Sequence, residues 1–74
     1  MIEAVIGVRK EDADEYIQTF DTIEQAKRYL SEAHRTGEIE FLSDYVIEIE
    51  LTKTYSTYVA FRWDSWRWTA SIDY

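Results

Sequence analysis

Apolar and polar positions alternate with a period of two at the start of the chain. Ile2, Ala4, Ile6 and Val8 fall on one side, Glu3, Val5, Gly7 and Arg9 on the other, which predicts a strand. The polar run Lys10 to Asp14 reads as a turn. Glu15 to Phe20 gives a second short strand, with Tyr16, Gln18 and Phe20 sharing a side and Ile17 and Thr19 opposite. The two segments form a predicted hairpin.

The period then changes to that of a helix. Ile23, Ala26, Leu30 and Ala33 make one apolar stripe, flanked by Tyr29, while Lys27, Arg28, Glu32 and Arg35 are expected to face water. Asp21 or Thr22 is placed to cap the free amides, with Glu24 or Gln25 three residues on as in a capping box. Gly37 is well placed to end the helix in a left-handed conformation. The predicted helix spans Thr22 to Thr36.

Alternation returns at Tyr45 to Leu51, where Tyr45, Ile47, Ile49 and Leu51 face one way and Val46, Glu48 and Glu50 the other. In the C-terminal segment a tight turn at Asp64-Ser65 pairs Trp63 with Trp66, Arg62 with Arg67, Phe61 with Trp68 and Val59 with Ala70. One face then collects Tyr55, Thr57, Val59, Phe61, Trp63, Trp66, Trp68, Ala70, Ile72 and Tyr74. Asp-Ser lacks the glycine that two-residue primed turns favour, and a four-residue loop from Trp63 to Trp66 keeps the same facing. A three-residue connection at Thr52-Lys53-Thr54 sets Leu51 against Tyr55, Ile47 against Val59 and Tyr45 against Phe61. It also places Asp44 opposite Arg62 and Glu48 opposite Tyr58, so Arg62, Arg67 and Asp44 are expected to cluster. The predicted fold is α+β in the order ββαβββ: an antiparallel sheet with one amphipathic helix on one face, forming a single domain over residues 1–74.

Composition explains how so short a chain builds a core. A domain of 74 residues buries about 60% of the surface its unfolded chain exposes, so its stability margin is thin. No cysteine is present to supply a disulfide or a thiolate metal site, a lack that fits a reducing cytoplasm. Three Trp, six Tyr and three Phe instead provide large apolar area in few positions. No run of about 18 apolar residues spans a membrane, and Met1-Ile2-Glu3-Ala4 lacks the basic start and apolar run of a signal peptide.

Fifteen acidic against eight basic residues give a formal net charge of −7. This disfavours direct binding to nucleic acid or an anionic membrane, because phosphate neutralisation needs a basic footprint. It suits solubility, or docking on a basic protein surface.

The chain shows no signature of catalysis or of a bound cofactor. His34, the only histidine, falls in the last helical turn, where the dipole favours a cation. None of the five serines stands in a nucleophile-elbow pattern. Glu11, Asp12, Asp14 and Glu15 crowd the first turn without the glycine or ligand spacing of a calcium loop, and read as a solvated acidic turn. Glu48 and Glu50 read as solvent-facing. With Glu38, Glu40, Asp44 and Asp73 they concentrate negative charge in the C-terminal half, in a pattern able to imitate duplex phosphates. Trp63, Trp66 and Trp68 supply either core or an interface anchor. The partner-binding candidates are therefore Glu38, Glu40, Asp44, Glu48, Glu50, Trp63, Trp66 and Trp68. The expected function is a small acidic, non-enzymatic protein-binding module, of the inhibitory kind that viral and mobile-element genes encode against nucleic-acid-handling proteins. The alternative is a subunit that associates with itself, as a homodimer, through the Trp-rich hairpin or an exposed strand edge.

Overall fold

A computed structural model describes residues 4–51 and 58–73. Its elements run β1 (Ala4–Lys10), β2 (Gln18–Phe20), α1 (Ile23–Arg35), a short 3-10 turn (Leu42–Asp44), β3 (Tyr45–Leu51), β4 (Tyr58–Trp63) and β5 (Trp68–Asp73). The five strands form one antiparallel sheet in the order β2-β1-β3-β4-β5, and α1 packs on β1, β2 and β3.

The ends of the helix follow from local chemistry. Thr22 has extended backbone angles, and its hydroxyl accepts a hydrogen bond from the Gln25 amide at 3.1 Å. The Gln25 side chain reaches back to accept from the Asp21 amide at 3.1 Å, one residue earlier than in a standard capping box. At the other end Gly37 takes φ +86°. That turn lets the Glu38 amide donate to the Ala33 carbonyl at 2.8 Å and the Gly37 amide donate to the His34 carbonyl at 3.2 Å, a Schellman closure.

The buried face of α1 is small: Ala26, Leu30 and Ala33. Together with Val8, Ile47 and Leu42, Leu30 and Ala26 form the centre of the core, edged by Ile6, Phe20, Ile23, Tyr29, Ile39, Tyr45, Phe61, Trp63 and Trp68. The sheet supplies the bulk that the helix lacks. Lys27, expected to face water, instead holds its ammonium 5.5 Å from the centroid of the Phe61 ring, so its aliphatic stem extends the cover the short apolar stripe gives.

Two registers differ from the sequence-based pairing, each by two residues. In the β3–β4 pair Ile47 faces Phe61 and Ile49 faces Val59, where Ile47 was expected against Val59. In the β4–β5 pair Trp63 faces Trp68 and Phe61 faces Ala70, where Trp63 was expected against Trp66. A shift of two keeps every side chain that stays paired on its predicted face, so hydrophobic alternation leaves it unspecified. Turn chemistry decides it. The tight turn at Asp64-Ser65 is replaced by a four-residue loop, Asp64 to Arg67, in which the Asp64 amide donates to the Arg67 carbonyl and the Trp66 amide to the Asp64 carbonyl, both at 2.7 Å. Ser65 sits at the centre of that γ-turn with φ 66°. The Thr52-Lys53-Thr54 connection and the Leu51–Tyr55 pairing lie outside the described residues.

The second strand is shorter than the sequence suggests. Residues 15–17 are not strand, and β2 begins at Gln18. This frees Tyr16 to cross to the face opposite the helix, where its ring lies on Gly7. A Cβ at Gly7 would sit 2.5 Å from the Tyr16 Cγ, so the contact requires glycine.

Candidate functional site

The sheet face away from α1, expected to be open to water, is covered over part of β1 and β3 by a polar assembly. Register places Gly7, Glu48 and Ala60 in one row and Arg9, Val46 and Arg62 in the next. Glu48, expected to be solvent-facing, retains only 3% exposure; its Oε2 accepts from Arg9 Nη2 at 2.8 Å. Arg9 Nη1 donates to the carbonyls of Lys10, Glu11 and Ala13 at 2.9 to 3.0 Å. One guanidinium thus neutralises the buried carboxylate and ties down the loop after β1. The Glu48 hydrogen bond and charge hold the Arg9 pKa above its ordinary value, against the opposing effect of burial.

Beside this pair the Tyr16 hydroxyl donates to Glu50 Oε2 at 3.1 Å. Burial, the bond to Glu50 and the neighbouring Glu48 charge push the Tyr16 phenol well above its ordinary pKa. Val46 and Ala60 are fully buried on this side. Arg62 reaches Glu11 at 3.4 Å, and Arg67 stacks 5.0 Å from the Trp66 ring centroid, so the expected cluster of Arg62, Arg67 and Asp44 does not form. The register shift is the cause: it sets Arg62 opposite Val46. Glu11 is brought near by the loop that Arg9 organises, where its amide also donates to the Asp44 carbonyl at 2.8 Å.

A different part of the molecule holds a cleft. About 630 Å³ in volume, it lies between the C-terminal half of α1, the segment around Leu42 and the β4–β5 loop. Ser31, His34, Glu40, Phe41, Leu42, Ser43, Trp63, Asp64 and Ser65 line it. Phe41 is 57% exposed and Trp66, next in sequence to Ser65, is 71% exposed. Among the described residues the only other large exposed hydrophobic side chain is Ile17. A second depression of about 530 Å³ lies between β2 and the helix, and its lining includes Phe20 and Tyr29, their rings 5.3 Å apart.

The eight candidate residues therefore separate. Trp63 and Trp68 pack edge to face, 5.4 Å between centroids, against the core on the helix side, as the alternation implies. Trp66 leaves that face and stands exposed in the loop. Glu40 lines the cleft, Glu38 precedes it in an exposed stretch, and exposed Asp44 follows its Leu42–Ser43 wall. Glu50 is bonded to Tyr16 on the opposite face, and Glu48 is enclosed. Phe41, Asp64 and His34 were not singled out as binding residues. Phe41 had one usable signal: it is a large ring between the Gly37 helix stop and the alternation that begins at Tyr45, and belongs to neither pattern.

Among the described residues, no three His, Cys, Asp or Glu side chains are grouped to hold a metal ion, and no helix is long and apolar enough to cross a membrane. Comparison of the chain with known protein families, curated proteins and solved structures found no match.

Proposed function

We propose that this protein is an acidic, non-enzymatic module that binds another protein, with the cleft beside Phe41 and Trp66 as its docking site. The observation that carries this reading is that two large rings, Phe41 and Trp66, stay in water at a cleft whose lining includes Glu40 and Asp64. Exposed aromatic anchors within a polar surround are typical of protein interfaces. The carboxylates, and a net charge of −7, select a partner segment that is basic and carries an apolar residue. A nucleic-acid-handling protein offers such a surface, and occupation of it would inhibit that protein. In this reading Glu38, Glu40, Asp44 and Asp64 present the negative charge.

Capture with the immobilised protein tests the proposal. The wild type is expected to retain a basic protein at low salt and release it at molar salt, where surface charges are screened. The variant Phe41→Ser/Trp66→Ser is expected to retain far less. Retention unchanged by both salt and the double substitution would refute the reading.

A further inference from the structure

We infer that β5 is a pairing edge for a second copy of this chain, joined antiparallel about a two-fold axis at Ala70. The sheet order leaves two edges, β2 and β5. Proteins guard such edges by making them short or by placing lysine, proline or other charges on them. β2 is only three residues long, and Glu15 and Asp21 lie close to either end of it. β5 is six residues long, and its sequence WTASID has no lysine, arginine, proline or glycine.

Charge selects both the edge and the partner. Two chains of net charge −7 repel, so they meet where repulsion is least. From Ser65 to Ile72 the only charged residue is Arg67. With Ala70 opposite Ala70, Thr69 falls opposite Ser71 and Arg67 falls opposite position 73, an aspartate, on both sides of the axis. The edge is thus complementary to itself, as an isologous interface must be. Thr69 and Ala70 are exposed, leaving room for the approach. The pairing would unite two five-stranded sheets into one, with both helices on the same face. It relieves the thin stability margin of so short a chain.

Sedimentation of the full chain from micromolar to near-millimolar concentration tests this. A species of twice the 8.9 kDa chain mass is expected to form as concentration rises. Ala70→Lys sets two lysines directly opposite and is expected to raise the dimer dissociation constant about fivefold, the upper end for a cross-strand pair, with the monomer still folded by circular dichroism. Arg67→Asp should weaken the dimer likewise, and Arg67→Asp combined with Asp73→Arg should restore it. The charge swap keeps the test decisive if Ala70→Lys impairs folding. A monomer at every concentration, a dimer indifferent to Ala70→Lys and Arg67→Asp, or a swap that fails to restore association would overturn the inference. Ala70 does not line the acidic cleft, so loss of the dimer in Ala70→Lys and loss of partner capture are separately readable.

Discussion

The residue with the most dependents is Arg9. Its guanidinium joins the buried Glu48 carboxylate to three carbonyls of the loop after β1. Removing one member of a buried pair leaves an uncompensated charge, which costs about 3–5 kcal/mol. Since Arg9 keeps 16% side-chain exposure, the lower end applies, and Arg9→Met is expected to cost about 3 kcal/mol in urea unfolding. Arg9→Met with Glu48→Leu should recover part of that loss, because no carboxylate is then stranded; additive losses would contradict this. Tyr16 adds a pH dependence. Its folded pKa is raised, so its contribution is complete below the ordinary phenol value and fades as pH climbs past it. Between about pH 9 and about pH 11, on either side of the ordinary tyrosine value near 10, the urea midpoint of the wild type should fall further than that of Tyr16→Phe. Equal falls would remove Tyr16 from the account. None of this was legible in the sequence. A glutamate in an alternating strand reads as solvent-facing, and nothing local shows that Arg9 and Glu48 are brought together across β1 and β3.

At the scale of elements the chain was far more readable. Helix bounds, the Thr22 cap, the Gly37 stop and the extent of β3 followed from periodicity and end chemistry, both local properties. The facing of both C-terminal strand pairs was also readable, because alternation specifies register modulo two. The register itself was not, since it depends on how the connecting residues turn. The same ambiguity moved Trp66 out of the core face and into the loop. Ser65 carries the strain of that loop: a non-glycine residue at φ 66°, in a γ-turn of the rare, strained kind. Left-handed backbone costs an L-residue about 1–2 kcal/mol, and part of any gain from glycine is lost to the freer unfolded chain. Ser65→Gly should therefore raise stability by about 0.5 kcal/mol, and β-branched Ser65→Val should lower it. A stabilising Ser65→Val would show that the loop does not turn as described.

For the whole molecule, the two faces of the sheet have different work. On the helix face the partly buried rings of Phe61, Trp63 and Trp68 pack against the core. On the opposite face Arg9 and Tyr16 hold the Glu48 and Glu50 carboxylates, so both are committed to partners within the chain. Among the described residues, the large exposed aromatic side chains stand at the cleft end, where Phe41 and Trp66 lie near Glu40 and Asp64. Net charge alone would draw a basic ligand to any acidic surface, including the depression between β2 and the helix, where Asp21 and Glu32 stand. A docking site must be more selective than that. The most direct measurement is an amide chemical-shift titration of the labelled protein with a model peptide of alternating arginine and leucine. The account predicts saturable shifts confined to residues 31–43 and 63–67, abolished by Trp66→Ser and absent with a glutamate–leucine peptide. Shifts spread evenly over the acidic surface, or centred on residues 18–32, would contradict it.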